Sequence, residues 1–176
     1  MKTIKFIDLF SGICGFHLAL QDWSSELFLA CDINPYCKKV YIDNFNRISI
    51  LSDIREIDEN KIPDFDLLCA GFPCQPFSKG GFQKGFNDNR GTLFFEVVRI
   101  LRTKKPKFII LENVSSLVTH DNGNTFKVIT SELEKLGYLI PENPLIIDSL
   151  DVGIPMYRKR IYIPGIRKDF INSDKI

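Results

Sequence analysis

Hydrophobic and polar positions alternate along this chain in two textures. Short runs rich in β-branched, aliphatic and aromatic residues, 3-TIKFIDLF-10, 27-LFLACDI-33, 48-ISILSDI-54, 65-FDLLCAGF-72, 107-KFIILENV-114 and 160-RIYIPGI-166, read as strands. Between them lie stretches with helical spacing at 15–22, 35–45, 92–104 and 124–137, the second opening on Pro35 and the last stopping on Gly137. Strand and helix in alternation predict βαβ units, hence an α/β fold with a mostly parallel sheet and helices on both faces. No repeat, linker or shift in composition divides the chain. One domain is expected over residues 1–171, with a polar tail at 172–176.

The polar exceptions to this pattern are not scattered. Asp32, Asp53, Cys74 and Glu112 each stand at the carboxyl end of an apolar run, and Gly12 and Gly15 directly follow the first. In a parallel sheet those ends share one edge, the edge at which open α/β sheets bind ligands. Wet loops explain any one of these residues. They explain the set less well. The turn 8-DLFSGICG-15 between strand and helix, Ser11 and Gly12 included, resembles a nucleotide-binding turn, and Asp32 lies at the distance expected of a ribose-binding acid. No glycine precedes a Lys-Ser or Lys-Thr pair as a phosphate-cradling loop requires. A ligand with a ribose and no pyrophosphate fits better, and S-adenosyl-L-methionine is the commonest of that kind.

Composition narrows the picture. With 23 Lys and Arg against 22 Asp and Glu, the net charge of +1 gives no global reason to bind nucleic acid or a membrane surface. Local basic runs at 102–107 and 157–168 read equally as solvated faces. Five cysteines without a C-x-x-C pair, and only two histidines, argue against structural zinc, and no metal is expected. The odd cysteine count and the absence of a long uncharged apolar segment point to a reducing cytoplasmic setting with no membrane contact.

Cys74 is the residue the pattern does not absorb. It follows an apolar run and is flanked by Pro73 and Pro76, where neither strand nor helix continues smoothly, so its thiol is displayed in a way that Cys69, inside the run, is not. Taken with 8-DLFSGxxG-15, 112-ENV-114, 158-RKR-160 and the block 71-GFPCQPFS-78 followed by 90-RGTLFFE-96, it makes the chain, from about Phe6 to about Ile163, resemble the cytosine-C5 DNA methyltransferases.

That resemblance implies a Rossmann-like methyltransferase sheet, S-adenosyl-L-methionine as methyl donor and double-stranded DNA with a flipped cytosine as substrate. Residue by residue, it makes Cys74 the nucleophile toward cytosine C6, Glu112 the acid at N3, Arg160 the holder of O2, Arg158 a neighbouring charge for loop and backbone, and Pro73 the shaper of the turn. On the donor side Phe10 and Ile33 would flank adenine, Asp32 would take the ribose, and Asp53 with Ile54 would meet the adenine edge. Core packing accounts for Phe10 and Ile33 nearly as well, and a helix cap accounts for Asp53. Residues 79–91 read as a loop closing on the base, with Lys79, Lys84 and Arg90 toward phosphates, or else as a plain connection.

Three departures qualify the resemblance. Cys14 stands where the family has glycine, which is costly if the backbone there has positive φ. Pro155-Met156 replaces Pro-Gln. The family's DNA-reading and pocket-closing blocks have no counterpart, so the expectation is a catalytic part of a restriction-modification enzyme that is C-terminally incomplete and needs a complementing protein chain with the DNA-reading domain. The rivals are an inactive remnant or binding subunit and the same chemistry on tRNA cytosine.

Overall fold

The computed structural model describes residues 3–45, 50–73 and 93–173. Its centre is an eight-stranded mixed sheet. Five strands, β1 (Ile4–Leu9), β2 (Ser25–Cys31), β3 (Ile50–Leu51), β4 (Leu67–Ala70) and β5 (Phe108–Val114), are parallel, in the order β3-β2-β1-β4-β5. The long β8 (Lys159–Arg167) runs antiparallel to β5 and carries β6 (Tyr138–Leu139) and β7 (Leu145–Asp148) on its other side. All six strand runs of the sequence pattern form strands. The two short strands β6 and β7 were not expected, because pieces of two and four residues show no usable period.

The helices α1 (Gly15–Leu20), α2 (Pro35–Asn44), α3 (Leu93–Lys104) and α4 (Asn124–Lys135) fall where the spacing predicts them. Asn34 caps α2 by accepting from the Tyr36 N–H at 2.9 Å, and Pro35 occupies the first turn, where its missing N–H costs nothing. A fifth helix, α5 (Lys168–Ser173), runs across the expected boundary of the polar tail.

Alternation along β5 sorts the two faces of the sheet. Ile109 and Leu111 point into the main core with Phe94, Val97, Ile100 and Leu101 of α3 and Ile129 and Leu133 of α4. Phe108 and Ile110 point the other way, to a smaller cluster with Phe6, Cys69 and Phe16 and Leu20 from α1. Helices therefore stand on both faces. Tyr138 locks the β6 corner, its buried hydroxyl donating to the Pro106 carbonyl at 2.7 Å. No helix among the described residues is long and apolar enough to cross a membrane.

Gly165 marks the tightest packing on β8. A Cβ there would lie 2.6 Å from Ile140 Cδ1 and 2.7 Å from Ile109 Cγ1, a clash one rotamer change cannot remove. Gly165→Ala is expected to lower the unfolding free energy by about 1–3 kcal/mol, read from the midpoint of urea denaturation. A midpoint equal to wild type would show that Ile109 and Ile140 yield freely.

Candidate functional site

The site begins where β1 ends. Ile7 and Leu9 fill the main core and Phe6 the smaller one, so the chain leaves the sheet through a tight turn, with Phe10, Gly12 and Cys14 all at positive φ (56°, 52° and 74°). Cys14 thus stands in the left-handed conformation that glycine adopts without strain, and the cost foreseen for a side chain there is present. The turn is tied down by Ser11 N–H on the Cys31 carbonyl at 3.0 Å and Gly12 N–H on Asp32 Oδ2 at 2.8 Å. The other oxygen of Asp32 accepts from the Asn34 N–H, also at 2.8 Å. A Cβ at Gly12 or Gly15 would meet nothing within 4 Å, so the turn opens onto free space.

That space is a cavity of ≈ 440 Å³ lined on one side by Phe10, Ser11, Gly12, Ile13 and Gly15 and on the other by Gly71, Glu112, Arg158, Arg160 and Tyr162. It is large enough for a nucleoside-sized ligand. Among the described residues no group of three or more His, Cys, Asp or Glu side chains could hold a metal ion.

The second wall is made by the β5–β8 pairing, which sets Tyr162 opposite Glu112 and Arg160 opposite Val114. Arg160 Nε donates to Glu112 Oε1 at 2.9 Å, both side chains about four-fifths covered. Burial raises the Glu112 carboxyl above its ordinary range, and the Arg160 and Arg158 charges only partly offset that rise. Gly71 makes room for it, since a Cβ there would sit 3.3 Å from Glu112 Oε2. Next to it, Asn113 Nδ2 donates to the Phe72 carbonyl at 3.1 Å, fixing the end of β4 just before Pro73. Arg158 is oriented through its backbone, whose N–H donates to Asp148 Oδ1 at 3.1 Å.

The structure thus brings Phe10, Ser11, Gly12, Gly15, Glu112, Arg158 and Arg160 to one cavity, with Asp32 against its turn. Ile33 is 67 % exposed. Asp53 is engaged as a cap, accepting from the Arg55 N–H at 3.0 Å and from the Arg55 guanidinium. Ile54 buries its side chain in the main core, which leaves only its backbone to meet a ligand. Pro73 is the last residue described before Cys74. Cys74 itself, with Lys79, Lys84, Arg90 and the rest of 79–91, lies outside the described residues. Cys14, Cys31, Cys37 and Cys69 are free thiols raised by burial, Cys14 to about 11 and Cys31 to about 12, so none is a ready thiolate.

Two residues escaped the sequence reading. Tyr162 lies one strand period beyond Arg160 and faces the same cavity, a signal the alternation of β8 carries. Asp8, fully buried in β1 beneath the turn, has no hydrogen-bond partner of good geometry on either oxygen, and neither has Ser11 Oγ beside it. Burial and the nearby Asp32 charge push Asp8 up to about 8, and Tyr41 offsets only part of this. The folded state therefore binds a proton that the unfolded chain releases above its ordinary value of 3.8, so stability falls as pH rises from about 4 to about 8. Asp8→Asn, which mimics the protonated form, is expected to gain stability over wild type progressively across that window, by up to about 1.4 kcal/mol per pH unit. Thermal melts at pH 5 and pH 8 check it, and an equal difference at both would refute it.

Three comparisons bear on this geometry. Residues 4–176 match the family model "C-5 cytosine-specific DNA methylase". The chain is 46 % identical over 169 residues to the type II methyltransferase M.HhaI of Haemophilus parahaemolyticus, covering 96 % of this chain and 51 % of that one. It is 48 % identical over 165 residues to M.HaeII of Haemophilus aegyptius, with 94 % and 51 % covered. It therefore spans about half the length of the curated relatives it matches. Among solved structures it superposes on the Dnmt2 methyltransferase of S. pombe with a TM-score of 0.75 at 25 % identity, covering 94 % of this chain and 51 % of that one. The Entamoeba histolytica methyltransferase EhMeth gives 0.76 at 27 %, with 94 % and 53 % covered.

Proposed function

This chain belongs to the C-5 cytosine-specific DNA methylase family, and on that premise we propose that it carries the reacting half of a methyl transfer from S-adenosyl-L-methionine to C5 of cytosine in DNA. The observation that carries the reading is the cavity itself, where a glycine turn braced by Asp32 faces an acid–arginine pair at one sheet edge. The open space above Gly12 and Gly15 and the amide-braced Asp32 suit a donor with a ribose. The donor, when bound, supplies an electrophilic methyl group on sulfonium.

In this reading the chain's own residues make cytosine nucleophilic. The Cys74 thiolate adds to C6, forming a C–S bond and pushing the ring electrons toward N3 and C5. Glu112, raised by burial and so able to hold a proton, gives it to N3, and Arg160 holds O2. C5, now part of an enamine, takes the methyl. S-adenosylhomocysteine departs as the neutral thioether; loss of the C5 proton to water, expulsion of the thiolate and return of the N3 proton to Glu112 then restore the ring. Both faces and one edge of the base are engaged at once, which requires it to leave the duplex. Arg158 and the cations Lys79, Lys84 and Arg90 serve the phosphates.

We assign closure of the cavity and the reading of DNA sequence to further polypeptide, a complementing protein chain or domain. Ile13, exposed at the cavity, and Leu18 and Trp23, exposed on and just after α1, offer it apolar surface. The setting is the reducing cytoplasm, in keeping with four free described thiols, and a link to restriction follows from the type II relatives.

The test is transfer of labelled methyl to duplex DNA, with tRNA as the alternative acceptor, using the chain supplied with the remaining blocks of a relative. Cys74→Ser is expected to abolish transfer while leaving the melting temperature unchanged, since a hydroxyl is not ionised at neutral pH. Cys69→Ser is expected to remain active. Glu112→Gln is expected to lower kcat by about 10²–10⁴-fold, the usual weight of a general acid, with little change in KM for DNA. A rise in KM alone would make Glu112 a positioning group. Transfer to tRNA and not to DNA would reassign the substrate.

A further inference from the structure

Behind the cavity, on α3, one side chain gathers contacts that the reaction does not use. The Arg99 guanidinium donates through Nη2 to the Ile54 carbonyl at 2.9 Å and through Nη1 to the Ile57 carbonyl at 2.9 Å and to the Glu59 carboxylate. Its Nε donates to Glu96 Oε2, one turn back on α3, at 2.8 Å. Its side chain is 29 % exposed, and those of Glu59 and Glu96 are covered to a similar degree. The segment it grips follows β3 and consists of two 3-10 turns, Ile54–Glu56 and Glu59–Lys61, whose regular hydrogen bonds are few. One planar fork thus engages two main-chain carbonyls of the segment, that of Ile54, which also accepts from the Ile57 N–H at 3.3 Å, and that of Ile57. Lysine cannot replace it, because a single ammonium does not span acceptors spread over residues 54 to 59.

The position of this segment matters because it begins at Asp53 and Ile54. Ile54 has its side chain in the core, so whatever it offers a ligand comes from its backbone, and that backbone ends in the carbonyl Arg99 holds. The start of the segment is also drawn to the Asp32 strand, with Asp32 N–H on the Leu51 carbonyl at 3.1 Å and Lys38 Nζ on Ser52 Oγ at 2.7 Å. Arg99 supplies the opposite anchor, from α3.

We propose that Arg99 is a positioning residue for the methyl donor, holding the 53–59 backbone at the place where the adenine edge is read. This rests on the assignment of the cavity to S-adenosyl-L-methionine made above. It predicts loss of base discrimination, which a general loss of stability does not produce.

The experiment uses the chain supplied with the remaining blocks of a relative, as wild type, Arg99→Lys and Arg99→Met, with S-adenosylhomocysteine and its hypoxanthine analogue S-inosylhomocysteine as probes in calorimetric titrations. Amide exchange is followed in parallel by mass spectrometry. Wild type is expected to prefer the adenine compound. Both variants are expected to bind it about tenfold more weakly, to approach equal affinity for the two, and to exchange amides of 54–61 faster while β1, β4 and β5 stay protected. Unchanged exchange at 54–61 would overturn the anchoring and leave the donor assignment standing. Equal weakening toward both probes, or faster exchange throughout the sheet, would reduce Arg99 to a stability residue and overturn the proposal. Binding of neither probe by wild type would overturn the donor assignment and this proposal with it.

Discussion

Everything at the site depends on the burial of the carboxyl-terminal two-thirds of β1. Flanked by β2 and β4 and covered on both faces, residues Phe6 to Leu9 have no access to water, so the chain must emerge abruptly at the carboxyl end of the strand. The turn with three positive φ angles is that exit, and its Ser11 and Gly12 N–H groups are held by the Cys31 carbonyl and by Asp32. β4 ends level with β1, and β5 passes that level at Leu111, which sets Glu112 just beyond it, because the three strands are in register. The cavity is thus the place where the buried parallel block runs out, and β8, paired antiparallel to β5, adds its arginines to that edge from the opposite direction.

Three carboxyl groups near this edge meet three different environments. Asp32 accepts two main-chain N–H groups and serves as an anchor for the turn. Glu112 is buried beside an arginine, so its proton affinity is set by two opposing effects of which burial is the larger. Asp8 is buried with the Asp32 charge nearby and Tyr41 offsetting only part of the effect, which makes it a standing cost to the fold rather than a support. Identical chemistry thus yields an anchor, a poised acid and a liability, and the difference lies entirely in which main-chain and guanidinium groups reach each one.

The outline of this arrangement was legible in the sequence because buried parallel strands are apolar on both faces and announce their ends with the first polar residue. Asp32 and Glu112 were found by that rule, and Arg158 and Arg160 by the ordered blocks. Asp8 was hidden by the same rule, for a carboxyl inside an apolar run reads as a strand position and not as a site. Ile54 was singled out at the end of its apolar run, yet that its side chain packs inward depends on a core that only assembled packing defines. Arg99 carried no signal at all, since its acceptors are carbonyls more than 40 residues away in sequence, and carbonyls leave no trace in side-chain identity. Cys74 stands on sequence alone.

The outer strands have a consequence for how copies of the protein meet. At one border β3 has two described residues, and at the other the unpaired flank is shared between the two residues of β6 and the four of β7. β7 is preceded by Pro144, which has no N–H to offer, and ends where Asp148 turns the chain into a 3-10 turn closed by a capping box with Asp151. Although Leu145 and Ile146 are exposed on it, a neighbouring chain would find too few free main-chain groups to zip onto the sheet. Among the described residues strand addition thus has little main chain to work with, and contact between copies falls to exposed side chains such as Leu145 and Ile146.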